Sequence, residues 1–260
     1  MDRVTVDELR EWFQNYVKGY YCDIEDIDYH IRLKEEHTLR VCSIIKDVGI
    51  RINLDEPQLY LAEAIALFHD IGRFEQYKRY RTFSDRKSED HAVLGIGVLE
   101  NSGILQAVEE KERNILIKAI SCHNILSLPA PMEPECLMFC KLIRDADKVD
   151  ILYILIGYYE KPESYKNLNI GEASLPCGYS RDVLTDVLNS RMVKYEDVKT
   201  SVDMKLLRLS WIFDINFKYT LGLIKEKGYA ESIISSLPNI EEINKVGKKV
   251  LDYVDALILA

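Results

Sequence analysis

The 260-residue sequence predicts an all-α protein. Through most of the chain, apolar residues recur every three or four positions, which is the spacing of one face of a helix. No run of alternating apolar and polar residues indicates a strand, and no internal repeat or low-complexity tract is present. Hydrophobic residues make up 47% and charged residues 30%, a composition typical of a globular protein with a sizeable core.

Helices in the first 160 residues are predicted over residues 5–16, 29–48, 55–69, 90–100, 111–122 and 135–159. Thr5 and Glu8 have the spacing of a capping box, which marks the start of the first helix. Gly49 is expected to end the second, because glycine is common just past a helix C-terminus. Asp55, with Pro57 close behind it, predicts the start of the third.

Two irregular stretches stand out. Residues 74–89 carry basic side chains among aromatic ones, namely Lys78, Arg79, Arg81, Arg86 and Lys87. Residues 160–180 are rich in Pro, Gly, Ser and Asn and are expected to form a long connection. Helical patterns resume over residues 181–189, 201–227, 229–237 and 240–259.

We expect residues 1–260 to form a single helical domain. Its last part, residues 181–260, is expected to be a C-terminal helical extension that is joined to the rest through the connecting segment at 160–180. The reason is that the late helices carry apolar faces, which need a partner to cover them.

Charge and composition exclude several classes of protein. The formal net charge of −9 repels phosphate backbones, so we expect no nucleic-acid polymer as a partner. The first eight residues lack the basic and apolar regions of a signal peptide. The longest apolar stretch, Ile151 to Ile156, is too short to cross a bilayer. A cytoplasmic protein with no membrane partner is therefore expected.

The six cysteines are expected to be reduced, structural thiols, as is usual in the cytoplasm. Cys136 and Cys140 lie four residues apart and could share one face of a helix. Two thiols without nearby partners make a poor zinc site, however.

Four of the five histidines and two aspartates form one ordered pattern. The six candidate metal ligands are His37, His69, Asp70, His91, His123 and Asp147. Imidazole and carboxylate together suit Mn, Fe, Co, Ni or Zn better than Ca or Mg. Each residue lies on, or at the end of, a predicted helix, so a helical bundle can direct all six to one place. A single histidine on an apolar helix is more often a hydrogen-bonded core residue, but six residues in this order favour a metal site.

The adjacent positions of His69 and Asp70 restrict where on a helix the metal site can lie. His69 and Asp70 are about 100° apart around a helix, so both reach one metal only near the helix end. Gly72, two residues further on, fits a bend there. A small residue, Gly95, follows His91 by one turn. His30 lies outside the pattern and is interpreted as structural or solvated.

The order His…His-Asp…Asp resembles the HD-domain superfamily of metal-dependent phosphohydrolases. The local sequences at residues 68–74, 90–95 and 145–148 are similar to the motifs of that superfamily as well. The two additional histidines resemble the branch that binds a second metal. The resemblance covers about residues 27–158, roughly half of the chain. The Gly-Tyr-Pro signature of the cyclic-dinucleotide phosphodiesterases is absent downstream of the His-Asp pair, which disfavours that substrate.

The resemblance implies a helical bundle, the HD core at about 27–158, with one or two divalent transition-metal ions at its centre. By position, it implies a first metal held by His37, His69, Asp70 and Asp147, and a second held by His91 and His123 with Asp70 bridging. If only one ion binds, His91 and His123 would instead contact the phosphate or protonate the leaving oxygen. The residues themselves leave these two alternatives open.

The activity that follows is hydrolysis of a small phosphorylated substrate, a nucleotide or a related phosphomonoester or diester, by a hydroxide generated on the metal. Two divalent ions, two carboxylates and one hydroxide sum to about +1, which attracts a phosphate even to an acidic protein. The candidate catalytic residues are Asp70, Arg40, Arg73 and Lys148, the last three as phosphate-binding cations. The alternative for each cation is a surface ion pair.

Two acidic residues and one basic segment each have two possible interpretations. Asp145 and Asp150 either orient metal ligands or face solvent. The basic segment at residues 78–87 either folds over the entrance of the site or is a solvated loop.

Other functions also fit the sequence. The same six residues resemble HD-type di-iron oxygenases, in which iron activates dioxygen rather than water. A non-catalytic module that binds a metal or a nucleotide for regulation is a third possibility, although its usual mark, a lost ligand, is missing here. The aromatic stretch at 211–217 is either core or the lining of a pocket or interface, and a homodimer remains open.

Overall fold

The computed structural model describes residues 1–161, 163 and 175–259, and these form twelve α-helices and no strand. The predicted all-α class is therefore confirmed. The helices are α1 (Arg3–Lys18), α2 (Glu25–Arg51), α3 (Glu56–Phe68), α4 (Gly72–Tyr80), α5 (His91–Ser102), α6 (Glu110–Cys122), α7 (Pro134–Glu160), α8 (Arg181–Leu188), α9 (Ser201–Ser210), α10 (Lys218–Glu226), α11 (Tyr229–Ser235) and α12 (Glu241–Leu259).

The chain divides into two compact units, Met1–Asp147 and Lys148–Ala260, and the division falls within α7. The expected single domain stays a prediction. The predicted connection at 160–180 lies largely outside the described residues, which omit 162 and 164–174. None of the described helices combines the length and the apolar content that crossing a lipid bilayer requires.

Helix α3 forms the core of the first unit. It packs against α1, α2 and α6, and all of its residues from Leu61 to Phe68 are buried. The buried Glu63 of this stretch is paired with Arg10 of α1 and with Lys46 of α2, whose Nζ lies 3.0 Å from its Oε2. Because three helices surround α3, the residues that follow its last turn are held inside the unit.

Two predicted helix ends are corrected by the structure. Helix α1 begins at Arg3, where the Asp2 side chain accepts a hydrogen bond from the backbone N–H of Thr5, so the predicted start at a Thr5–Glu8 capping box is wrong. Helix α2 runs on to Arg51, and Gly49 lies inside it. A Cβ atom on Gly49 would lie 2.8 Å from Leu59 of α3, so this glycine permits close packing of two helices rather than ending one.

The start of α3 matches its prediction. The Asp55 side chain accepts a hydrogen bond from the backbone N–H of Gln58 at 2.9 Å, and the Gln58 side chain accepts one from the N–H of Asp55. This reciprocal capping satisfies two donors that a helix otherwise leaves unpaired.

The predicted irregular stretch at 74–89 begins with a helix instead. Helix α4 continues to Tyr80, with Phe74 and Tyr77 buried on one side and Lys78 exposed on the other. Basic and aromatic residues here form the two faces of an amphipathic helix, which explains why the composition looked like a loop. Arg81 ends the helix in a left-handed conformation, with φ at 53°.

The second unit is built around α12, which packs against α8, α10 and α11. The predicted helix at 201–227 is broken into α9, a 3-10 turn at Trp211–Asp214 and α10. The break follows Ser210, whose hydroxyl donates to Leu207 O and accepts from the N–H of Val193. Phe213 of the aromatic stretch packs edge-on against Tyr253 of α12 at 4.9 Å between ring centroids.

All six cysteines carry free thiols. Burial raises the pKa of Cys136 and of Cys140, so both stay protonated at neutral pH. This agrees with the predicted structural role, since a metal ligand or a reactive thiol needs the thiolate form.

Candidate metal centre

The junction between α3 and α4 carries the His-Asp pair. Helix α3 ends at Phe68, and α4 begins at Gly72, so His69 and Asp70 lie at the helix end, as predicted. A Cβ atom on Gly72 would lie 2.1 Å from His91 O and 2.5 Å from Gly95 N. Gly72 and Gly95 therefore let the start of α4 approach the backbone of α5. This close approach brings His91 towards the His-Asp pair.

The four residues expected to hold a first metal lie together. His37 Nε2 is 3.2 Å from His69 Nε2 and 3.2 Å from Asp147 Oδ1. Asp70 Oδ2 lies 3.5 Å from His37 Nε2 and 3.8 Å from His69 Nε2. Helices α2 and α7 and the end of α3 thus direct two imidazoles and two carboxylates to one point. We call these four residues the first cluster.

A second cluster consists of His91, His123 and the same Asp70. The Nε2 atoms of His91 and His123 are 2.9 Å apart. Asp70 Oδ1 lies 3.2 Å from His91 Nε2 and 3.7 Å from His123 Nε2. The two oxygens of one carboxylate therefore face different histidine pairs, which is the arrangement of a bridging ligand.

The histidine rings are fixed by hydrogen bonds on their outer sides. His69 Nδ1 donates to Ala66 O, and His123 Nδ1 donates to Ile120 O, both at 2.7 Å. The neutral ring of each then carries its lone pair on Nε2, pointing inward. Lone pairs and carboxylate oxygens that converge without a proton between them repel one another, so this donor set fits a divalent cation.

Burial sharpens this conclusion. Exposure is 2% for His37, 0% for His69, 3% for Asp70, 1% for His91 and 5% for His123. The Asp147 side chain is 16% exposed. Buried charges need compensation by partners or metals, and a divalent cation would compensate the two carboxylates here.

Charge states also suit metal binding. Burial opposes ionisation of Asp70, but Lys34 and Arg73 outweigh it, so the pKa of this carboxyl lies well below its usual range. For Asp147, burial is likewise outweighed by the neighbouring imidazoles of His37 and His69, which hold its pKa well below the usual range. Burial lowers the pKa of His123 to about 4. Near neutral pH the cluster thus offers charged carboxylates and a neutral His123, the forms that bind metal.

Three residues beside the clusters were not predicted. Lys34 Nζ lies 2.7 Å from Asp70 Oδ2. Asp85 accepts a hydrogen bond from His91 Nδ1 at 2.8 Å, and its pKa is lowered because His91 and Arg73 outweigh the effect of burial. The fully buried Gln76 donates to Asp85 Oδ1 at 2.8 Å. Of these three residues, only Lys34 could have been predicted from the sequence, because it lies three residues before His37 on the same helix face.

Arg144 was also missed, although it lies three residues before Asp147. Its guanidinium is buried, with 1% exposure. It donates to the carbonyl oxygens of Cys122, His123 and Ile125 at 3.0, 3.3 and 2.6 Å. These are carbonyls at and after the end of α6, so Arg144 fixes the segment that carries His123.

The predicted phosphate-binding cations lie in three different settings. Arg73 reaches Asp70 Oδ1 at 3.3 Å, and it also donates to Asp85 Oδ1 at 2.8 Å. The Arg40 guanidinium lies 3.8 Å from Glu36 on α2. Lys148, in the second unit, is buried and lies 2.8 Å from Asp214. Their roles towards a phosphate stay predictions.

The structure also bears on the other residues that the sequence analysis singled out. Asp145 and Asp150 have exposures of 0% and 1%, so the alternative that they face solvent is wrong. His30 Nδ1 donates to Asp26 O at 2.7 Å, and the ring stacks on Tyr77 at 4.6 Å between centroids, in agreement with the predicted structural role. In the basic segment, Lys78 lies over the Tyr20 ring at 5.4 Å. Whether this segment covers an entrance stays a prediction.

Comparison with known proteins agrees with the geometry. Residues 35–152 match the family model of the HD domain. This match confirms the resemblance inferred from the motifs, and it contains all six residues of the two clusters. No curated protein and no solved structure matches the chain.

Proposed function

Since the chain contains an HD domain at residues 35–152, we propose that it is a metal-dependent phosphohydrolase that cleaves a small phosphate ester. A nucleotide or a related phosphomonoester or diester is the proposed substrate class. The observation that carries the proposal is the position of Asp70, whose two carboxylate oxygens face two separate histidine pairs. Sites of this kind hold two cations a short distance apart, on either side of one reacting phosphate.

The donor set supports a transition metal. Four imidazole nitrogens and two carboxylates suit Mn, Fe, Co, Ni or Zn. The first ion would be held by His37, His69, Asp70 and Asp147, and the second by Asp70, His91 and His123. Bound there, a divalent cation supplies Lewis acidity and lowers the pKa of water to near neutrality.

The side chains around the site would hold and orient the metal ligands. Asp70 would hold both cations, and Arg73, 3.3 Å from its Oδ1, would keep its carboxylate charged and oriented. The outer hydrogen bonds of His69 and His123 would keep the Nε2 atoms directed at the site. Such a pre-formed arrangement needs no reorganisation when a substrate arrives.

Burial supports a small substrate. The five ligands other than Asp147 are no more than 5% exposed, so only a compact group such as a terminal phosphate would reach them. The net charge of −9 disfavours a polymeric phosphate backbone. Lys34 and Arg73, both beside Asp70, are the cations placed to attract a small anion, and we retain Arg40 and Lys148 as further candidates.

A phosphoester screen on protein reconstituted with each of Mn, Fe, Co, Ni and Zn tests the proposal. Hydrolysis by the wild type should fall at least 1,000-fold, to the background rate, in His69→Ala and Asp70→Ala, a loss of about 4 kcal/mol of transition-state stabilisation. His30→Ala is the matched control, because this histidine lies outside both clusters, and it should keep activity.

Equal background rates in wild type, His69→Ala and Asp70→Ala with every metal would contradict hydrolysis. Oxygen consumption by the iron-loaded protein would point to an oxygenase instead. Nucleotide binding without turnover would point to a regulatory module.

A further inference from the structure

His91 differs from the other two oriented histidines in what holds its outer nitrogen. His69 and His123 donate to carbonyl oxygens of their own chain segments, three residues earlier. His91 Nδ1 instead lies 2.8 Å from a side-chain carboxylate oxygen, Oδ2 of Asp85. A carboxylate acceptor fixes the ring and also raises the basicity of its inner nitrogen, which strengthens a metal bond.

Asp85 is itself held in place from two sides. Its second oxygen, Oδ1, accepts hydrogen bonds from Gln76 Nε2 and from Arg73 Nη1, both at 2.8 Å. Gln76 is fully buried, and its amide also donates to Glu89 O at 2.9 Å. The carboxylate therefore has little freedom to turn away from His91, although its side chain is 32% exposed.

These contacts connect the chain around residue 85 to His91 of the second cluster directly, and through Arg73 to Asp70 Oδ1, the oxygen of the shared carboxylate that faces His91. Asp85 is the first residue of the 3-10 turn at Asp85–Lys87. Arg73 also donates to Phe83 O at 2.6 Å, which ties the chain before this turn to α4. The hydrogen bond of Asp85 to the clusters goes to His91, which belongs to the second cluster.

We infer that Asp85 is a positioning residue for the second cluster, and that it sets the affinity of this cluster for a second ion while leaving the first cluster unaffected. Asp85 keeps His91 in the tautomer whose Nε2 lone pair points towards Asp70 and His123. The inference rests on the metal-binding part of the proposed function. On this account, the segment around the 3-10 turn serves to orient a metal ligand.

The test measures Mn²⁺ binding to the full-length, metal-free protein by titration calorimetry. We assign the weaker of two Mn²⁺ affinities to the second cluster, because it offers three ligands and the first offers four. In Asp85→Asn, this weaker affinity should fall about 10- to 100-fold, while the tighter one stays within about twofold of wild type. Asp26→Asn is the matched control, because Asp26 also lies near a histidine, His30 at 3.9 Å, but outside the clusters. It should bind Mn²⁺ as the wild type does.

A benchmark and a folding control keep the test decisive. His91→Ala should reduce the same, weaker affinity as Asp85→Asn does, and at least as strongly. The thermal midpoint of metal-free Asp85→Asn is measured beside it, since a merely structural role would lower that midpoint and weaken both affinities together. Such a joint loss, or unchanged Mn²⁺ binding in Asp85→Asn, would overturn the inference.

The outcome is separable from that of the proposed function. Selective loss of the weaker Mn²⁺ affinity, in a protein that hydrolyses no phosphoester, would uphold the role of Asp85 and reject hydrolysis. If the wild type hydrolyses a phosphoester but Asp85→Asn binds Mn²⁺ as the wild type does, hydrolysis would be upheld and the role of Asp85 rejected.

Discussion

Lys34 Nζ lies 2.7 Å from Asp70 Oδ2, the oxygen that faces His37 and His69. The same oxygen of Asp70 thus contacts the Lys34 ammonium and belongs to the first cluster. In the metal-free protein this contact neutralises a buried charge. With a cation bound at the same oxygen, the ammonium and the cation repel each other, so Lys34 must leave Asp70 or weaken metal binding.

Replacement of this lysine should therefore strengthen metal binding. In Lys34→Met, we expect the first cluster to bind Mn²⁺ about tenfold more tightly, which corresponds to about 1.4 kcal/mol. A fixed +1 and +2 pair at 4 Å would cost about 8 kcal/mol at an effective dielectric constant of 20, and the long side chain avoids most of this by moving. Lys46→Met is the control, since Lys46 lies on the same helix as Lys34 but pairs with Glu63 of α3. Weaker Mn²⁺ binding in Lys34→Met would contradict this account.

Gly72 should be intolerant of any side chain. In Gly72→Ala, the new Cβ would meet two backbone atoms of α5, at 2.1 and 2.5 Å, and backbone cannot move aside cheaply. We expect a loss of about 3 kcal/mol in the free energy of unfolding, measured by urea denaturation. Gly97→Ala, on α5 itself, meets nothing within 4 Å and should instead stabilise the protein by about 0.5–1 kcal/mol. Equal stability of the two variants would show that α4 and α5 are not in close contact.

The metal-free protein should lose stability on mild acidification. Burial lowers the pKa of His123 from 6.5 to about 4, so the unfolded chain binds a proton here that the folded chain does not. Stability therefore falls as pH drops from about 6.5 to about 4, by about 3 kcal/mol from this residue. Asp70 contributes in a lower range, because its depressed pKa gives stability that is lost only below pH 3.8.

Urea unfolding of metal-free protein at pH 7, 5.5 and 4.5 measures this dependence. His123→Gln lacks the titrating group and should show a flatter profile over that range. A wild-type slope in His123→Gln would assign the acid sensitivity to other residues.

Motif spacing predicted the six residues that the structure brings together, because four histidines and two aspartates in this order on helices have few ordinary roles as a set. The sequence could not reveal Asp85 and Gln76 as partners of this site. Their roles depend on α4 being a helix, and its alternating basic and aromatic residues resembled a loop. Gly49 and Gly72 illustrate a second limit: a glycine required for close helix packing has the same sequence signal as one that ends or bends a helix.

Arg144 should be sensitive even to replacement by lysine. Its planar guanidinium donates to four carbonyl oxygens at and after the end of α6, those of Cys122, His123, Ile125 and Leu126. A lysine ammonium cannot span this set in one plane, so Arg144→Lys leaves buried carbonyls unpaired at about 1–3 kcal/mol each. We expect a loss of about 3 kcal/mol in the free energy of unfolding, measured by urea denaturation.

The matched control for this substitution is Arg191→Lys. Arg191 is 61% exposed and pairs with Asp186, so the change should alter stability by less than about 0.5 kcal/mol. Because Arg144 also fixes the segment that carries His123, the Mn²⁺ affinity of the second cluster should fall in the same variant. If Arg144→Lys were as stable as Arg191→Lys and bound Mn²⁺ normally, the carbonyls after α6 would be satisfied without the guanidinium. Orientation of His123 would then depend on its bond to Ile120 O alone.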